Sequence, residues 1–335
     1  MIEYLAKTVQ AYQRGGISEV CRGGYRKAIR PVFEKTPLYV PYSVRKSRAR
    51  KNELIDELID RGVGRRFDRE ELLDRKSSET VFILGSGGSI AEISEREWDL
   101  IDSHDSIGLN RWPIHDFVPT YYVLELPFDP SMRRDMIELI NFKRTKYESV
   151  PIIIKDIERS EEYIKSDSLP DWLKQKVVLS PESNFPEMRW TTQQQARLLR
   201  YLVRNGAFDP EREHDILYRK RGSISYLLHL ACILGYENIV LCGVDMVNSV
   251  YFFDVDREYY ESKEFPIPEK NDRQQDETHN TNDPRVDDLT LEDVIYLLDK
   301  IVLKPRSINL YVENSISALH PNIPLYEYSD SGNTR

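Results

Sequence analysis

Val81-Phe82-Ile83-Leu84, running straight into Gly85-Ser86-Gly87-Gly88-Ser89, is the stretch that decides the fold. Four consecutive apolar residues with no polar alternation read as a strand buried on both faces, as in a parallel sheet. The glycines that follow break the strand and permit a tight turn. Ser89, with Glu92 three residues on, reads as the cap of a helix reaching Leu100. A strand, a glycine turn and a helix start together let backbone N–H groups face an anion. The spacing is neither GxGxxG nor GxxxxGK[ST], so the turn alone does not name a ligand.

Further segments repeat the pattern on either side. Strands are expected at Asp105–Asn110, Tyr121–Leu124, Pro151–Ile154, Val177–Leu179, Ile239–Gly243 and Ile308–Val312, with a helix at Ser223–Leu234. Strands alternating with helices imply an α/β, Rossmann-like fold: a mostly parallel sheet with helices on both faces. In such a sheet the ligand crevice lies beyond the carboxyl ends of the strands. Polar residues stand at those ends here: Asn110 and Arg111 after the second strand, Glu125 after the third, and Gly243-Val244-Asp245 after Val240.

The flanks differ from this body. Residues 1–51 carry twelve Lys or Arg against three Glu, whereas the rest of the chain has 35 basic and 53 acidic residues, giving −9 overall. Residues 1–76 read as a basic helical arm and amphipathic connector, and residues 77–335 as the Rossmann-like domain. Tyr4, Tyr12, Tyr25, Phe33, Tyr39 and Tyr42 interleave with the arm's charges, as suits an anionic membrane surface. A solvated arm with no partner is the competing reading. The acidic body would repel a nucleic acid. No apolar run reaches the ~18 residues of a membrane-spanning helix, and Met1-Ile2-Glu3 does not open a signal peptide. Cys21, Cys232 and Cys242 lack metal-ligand spacing and read as thiols of a reducing cytoplasm. Residues 254–288 are polar and acidic, and read as a lid. Its acids Asp272, Asp276, Glu277, Asp283, Asp287 and Asp288 lack EF-hand spacing and read as a solvated loop rather than a cation site.

Four stretches also carry a resemblance. Ile83–Ser89, Asp105–Asn110, Arg221-Gly222-Ser223 through Gly243-Val244-Asp245 to Tyr251-Phe252-Phe253-Asp254, and Leu310-Tyr311 with Asn314-Ser315 stand in one order. The chain thereby resembles the bacterial sialyltransferases of glycosyltransferase family 42 and related sialyltransferase-like Rossmann proteins. It departs from them with Ser86 and Gly88 where the family has Asn and Pro, and with Val247 and Asp276 where it has tyrosines.

The resemblance implies an inverting, metal-independent glycosyl transfer from a CMP-sugar, with no cofactor, to a glycan or lipid-linked glycan acceptor. His279 would be the general base, since an imidazole near pKa ~6.5 suits proton removal at neutral pH. Tyr251, with Arg221 or Lys220 nearby, would steady the leaving phosphate. Gly85, Ser86, Gly87, Ser89, Asn110, Arg111, Gly222, Ser223, Asp245, Asn314 and Ser315 would line the donor site. The protein would be cytoplasmic, peripheral on the inner face of the membrane through its arm, with oligomeric state left open. A 6-hydroxymethylpterin pyrophosphokinase-like enzyme needing metal–ATP, and a catalytically silent nucleotide-sugar binder, are the rival readings.

Overall fold

Ten strands are found among the described residues. They are β1 (Arg65–Arg66), β2 (Thr80–Leu84), β3 (Asp105–Leu109), β4 (Tyr121–Glu125), β5 (Ile152–Lys155), β6 (Val178–Leu179), β7 (Glu182–Ser183), β8 (Leu217–Tyr218), β9 (Asn238–Cys242) and β10 (Asn309–Val312). The computed structural model describes residues 36–159, 161–165, 169–186, 191–247, 250–268, 281–283 and 289–328. The chain divides into two compact units, Met1–Lys46 and Ser47–Arg335, and the sheet belongs to the second.

Eight strands form one parallel sheet in the order β1-β6-β5-β4-β3-β2-β9-β10, and β7 pairs with β8 in a separate two-stranded ribbon. From β2 the chain steps outward through β3, β4, β5 and β6. It then returns to lay β9 and β10 on β2's other side. The strand order reverses between β2 and β9, so their carboxyl ends diverge into a crevice at this switch point. The Rossmann-like α/β architecture expected from the alternation of strands and helices is the one found.

Period-2 alternation sorts the sheet's side chains onto two faces. Phe82, Leu84, Tyr122, Leu124, Ile152, Ile154, Val240 and Cys242 share one core with Leu54, Ile55, Leu58, Ile101, Met136 and Ile140. Val81, Ile83, Ile107, Val123, Ile153, Ile239 and Leu241 point the other way and are equally buried. Three helices whose buried residues are absent from the first core, Thr192–Arg204, Ser223–Ile233 and Leu291–Leu298, pack on one another. Helix Ser223–Ile233 is buried from Ile224 through Ile233, which explains its uninterrupted apolar sequence. His229 sits inside it as a core residue: the Tyr218 N–H donates to Nδ1 (2.7 Å), and Nε2 lies 2.7 Å from the Ala207 carbonyl. Burial pushes its pKa down to about 3, so it stays neutral and holds the helix to β8.

The helix after the glycine turn differs from expectation. Gly88–Glu92 is a short 3-10 segment, and the α-helix begins afresh at Glu95–Asp102. Ser94 and Glu97 form its capping box in place of Ser89 and Glu92. Ser89 is drawn away because its hydroxyl and N–H are both committed elsewhere, as the site geometry makes plain.

The turn itself depends on two glycines facing each other across β2 and β9. The Gly85 N–H donates to the Cys242 carbonyl (2.8 Å), and a Cβ on Gly85 would collide with the Gly243 carbonyl oxygen. Gly243 takes a left-handed φ of 63°, and its own Cβ would meet Ile90 Cγ1 at 2.5 Å. Gly85→Ala is therefore expected to cost about 1–3 kcal/mol by overpacking against backbone. Gly88→Ala, whose Cβ meets nothing nearer than 3.4 Å, should change stability by less than about 0.5 kcal/mol. Denaturant melts of both variants check this, and equal stabilities would contradict it.

Candidate functional site

The glycine turn, the segment after β9 and Tyr251 are fastened into one unit by backbone and carboxylate bonds. The Gly87 N–H donates to the Gly243 carbonyl (2.9 Å), and Gly87 forms an antiparallel bridge with Tyr251. The Phe252 N–H donates to the Ser86 carbonyl (3.2 Å). Asp245, buried, accepts from the Ser89 N–H (3.1 Å) and the Ser89 hydroxyl (2.5 Å). Its position right after the β9 strand end is thus a clasp: it satisfies the start of the 3-10 segment from within.

That clasp changes what the turn offers a ligand. The N–H groups of Gly85, Gly87 and Ser89 are consumed by Cys242, Gly243 and Asp245. An anion at this crevice therefore draws its charge balance chiefly from side chains. The crevice is a cleft of about 400 Å³. Gly85, Ser86, Gly87, Asn110, Arg221, Gly222, Ser223, Asp245 and Tyr251 all line it, along with Glu125, Arg159, Arg219, Met246 and Thr281.

Each polar group is placed by its strand end. Asn110 follows β3 with a left-handed φ of 52°, a conformation that asparagine tolerates. Its side-chain oxygen accepts from the Glu125 N–H (3.1 Å), tying the ends of β3 and β4 together. Glu125 and Lys155 are register partners on β4 and β5, which brings their side chains into an ion pair. Ser223, first residue of its helix, donates to Glu125 Oε2 at 3.2 Å. Burial alone would raise the Glu125 pKa, yet Lys155 and Arg219 hold it down to about 2. Glu125 is therefore ionised at neutral pH and acts as a hydrogen-bond acceptor. Arg219 is itself neutralised from behind by Glu182 (2.5 Å) and Asp156 (3.0 Å). Arg221 has a left-handed φ of 67°, and its guanidinium donates to the Asp283 carbonyl at 3.3 Å. The half-buried Tyr251 ring stacks on Phe253, with centroids 5.1 Å apart and planes 14° from parallel.

Other expected residues stand outside the cleft. Lys220 is fully buried, and its Nζ donates to the Asn184 carbonyl at 2.7 Å, so it braces a loop rather than facing a ligand. Arg111 is not a lining residue. Burial lowers its pKa, opposed by the nearby charges of Tyr251, Asp135 and Asp254. Asn314 and Ser315 also lie off the lining; the Asn314 side chain accepts from the Ile316 N–H (2.9 Å), and the loop they share supports the β9 segment from behind. There the Ser317 hydroxyl donates to the Val244 carbonyl (2.8 Å) and the Ala318 N–H to the Asp245 carbonyl (2.9 Å). His279 lies outside the described residues. So do Asp272, Asp276, Glu277, Asp287 and Asp288 of the acidic loop.

Arg159, Arg219, Met246 and Thr281 are lining residues not foreseen from the sequence. Arg159 follows β5 by four residues, so the rule that pointed to Asn110 and Asp245 reaches it too. Arg219 and Thr281 depend on tertiary folding and leave no local signal. Among the described residues no group of three His, Cys, Asp or Glu side chains is placed to hold a metal ion. A larger hollow of about 820 Å³ lies elsewhere, between residues 52–70 and 210–215. Its arginines are already paired, Arg66 with Asp56 (2.5 Å) and Arg69 with Glu70 (2.6 Å). The switch-point cleft is the better site because the carboxyl ends of β2, β3, β4 and β9 converge there.

No family model matches the chain, and no curated protein does. Among solved structures, it is similar to CstII, a sialyltransferase from Campylobacter jejuni, in complex with the substrate analogue cytidine-5'-monophosphate. The identity is 18% over 76% of this chain and 87% of that one, with a TM-score of 0.42. The monofunctional alpha-2,3-sialyltransferase Cst-I from the same organism gives 14% identity over 77% and 88%, with a TM-score of 0.39. An apo alpha-2,3-sialyltransferase from that organism gives 15% over 75% and 82%, with a TM-score of 0.36.

Glu313 directly follows β10, with Oε2 buried. Burial first, then Glu97, Asp245 and Glu92, raises its pKa from 4.5 to about 7. A raised carboxyl pKa means stability that is complete below about pH 4.5 and lost as pH rises through about 7. Glu313→Gln stays neutral throughout. The variant's Tm relative to the parent should therefore rise between pH 5 and pH 8; a difference independent of pH would contradict this.

Proposed function

We propose that this protein is a sialyltransferase-like glycosyltransferase that moves a nonulosonic-acid-like sugar from a CMP-sugar to a glycan or lipid-linked glycan. The observation that carries the reading is the convergence of Gly85–Gly87, Asn110, Arg221, Ser223 and Tyr251 on one cleft at the sheet's switch point. These residues come from three of the four stretches that bear the resemblance in sequence; the fourth, with Asn314 and Ser315, lies off the lining.

The chemistry follows from charge. As the bond from the sugar's anomeric carbon to the phosphate oxygen breaks, CMP leaves with the electron pair and the sugar gains oxocarbenium character. A new bond forms from the acceptor oxygen to that carbon, on the opposite face, which inverts the centre. The acceptor's proton goes to His279 as general base. Tyr251 and Arg221 balance the charge growing on the departing phosphate, a role that needs no metal ion. Asn110 and Ser223 hold the donor, and ionised Glu125 accepts hydrogen bonds from sugar hydroxyls. The basic arm holds the enzyme to the anionic inner face of a membrane, where such glycans are assembled. Among the described residues no helix is long and apolar enough to cross a membrane.

Calorimetric titration with CMP, CTP and ATP, with and without magnesium, tests this. The reading expects CMP to bind without magnesium and Tyr251→Phe to weaken it. Magnesium-dependent ATP binding with no affinity for CMP would point to pyrophosphoryl transfer instead. For the reaction, His279→Ala should lower transfer by about 10²–10⁴-fold with CMP affinity unchanged. Full activity in that variant would remove His279 from the mechanism.

A further inference from the structure

A large aromatic ring stands in solvent beside the cleft, and nothing described so far uses it. Phe128 is 72% exposed, the highest value among the large hydrophobic residues described. Its exposure is not that of a loose loop. Pro127 precedes it, Asp129 caps the following helix by accepting from the Met132 N–H (2.9 Å), and Pro130 opens that helix. Two prolines and a cap fix the backbone on both sides of the ring. The Pro127 carbonyl is held in turn by the Arg133 guanidinium (3.3 Å).

Arg159 connects this ring to the cleft. Its guanidinium carbon lies 5.8 Å from the Phe128 ring centroid, and its Nη1 lies 3.8 Å from Glu125 Oε1. Arg159 and Glu125 both line the cleft. One extended side chain therefore spans from a carboxylate inside the cleft to an aromatic face at its rim. The Arg159 side chain is 57% exposed, so its remaining N–H donors face solvent.

We propose that Phe128, Arg159 and Glu125 form the acceptor subsite, with Phe128 as the platform on which the acceptor's sugar ring stacks. This rests on the transferase reading and says where its second substrate sits. A pyranose presents a face of C–H groups and a rim of hydroxyls. The negative face of an aromatic ring attracts the former. Arg159 donates to hydroxyl oxygens, and Glu125, its pKa held to about 2, accepts from hydroxyl hydrogens. Because the backbone on both sides of the ring is fixed beforehand, stacking has less conformational entropy to overcome. Glu125 is shared with Ser223, which sets the stacked sugar next to the donor site.

The test compares the parent with Phe128→Ala and Phe128→Trp in full-length protein saturated with CMP. The probes are methyl β-galactoside, methyl α-glucoside, methyl α-mannoside and lactose, read by saturation-transfer NMR and titration. At least one sugar is expected to bind the parent, about tenfold more weakly to Phe128→Ala, and with restored affinity to Phe128→Trp. CMP affinity should be the same in all three, which also reports that the variants fold. Sugar binding indifferent to Phe128→Ala would overturn the proposal, as would a parent that binds CMP but none of the sugars. So would a Phe128→Ala variant that loses only its binding to anionic vesicles of phosphatidylglycerol, since the ring would then be a membrane contact. Failure of CMP to bind the parent is a different result; it removes the transferase reading itself.

Discussion

The bond between Ser89 and Asp245 is the constraint on which the rest of the site depends. It joins the segment after β2 to the segment after β9, the two strands between which the sheet reverses order. A carboxylate this deeply buried persists only if its oxygens are satisfied. Ser89 supplies two donors, and the loop after β10 closes the back through Ser317 and Ala318. Leaving that carboxylate short of partners would cost roughly 1–3 kcal/mol or more. With it in place, Gly85, Gly87, Tyr251 and the β9 segment keep one geometry, and the crevice has a rigid wall.

Rigidity of that wall has a chemical consequence. A glycine turn before a helix is usually read as a nest of N–H groups for phosphate. Here most of those donors are spent on the clasp, so side chains must balance anionic charge. The cleft is also lined by Arg159, Arg219 and Arg221, and by Glu125, which pairs with Arg159. Arg219 is neutralised from behind by Glu182 and Asp156, Arg159 is paired with Glu125, and Arg221 is held to the Asp283 carbonyl. The clasp thus supplies shape, and the side chains lining the cleft supply charge.

Much of this was legible in the chain. The unbroken apolar runs at Val81–Leu84 and Ile239–Cys242 could be little else than buried parallel strands, and glycine after each marked the crevice. Strand-end logic found Asn110, Glu125 and Asp245 because a parallel sheet points all its carboxyl ends one way. The same logic could not distinguish a ligand-facing residue from one that braces the fold. Lys220 and Arg221 are neighbours in sequence, yet the left-handed φ of Arg221 sends one into the protein and the other to the cleft. The helix cap misread at Ser89 has a similar cause. Its partner Asp245 is 156 residues away, and no local pattern carries that information. The short strands β1, β7 and β8 hold two residues each, too few to leave a period.

The central claim is that the switch-point cleft, and not another hollow of the fold, receives a cytidine nucleotide. A crystal structure of the protein grown with CMP tests it most directly. The account predicts CMP in the cleft lined by Gly85–Gly87 and Asn110, with its phosphate beside Tyr251 and Arg221. CMP seated in the larger hollow between residues 52–70 and 210–215, with the cleft empty, would contradict it.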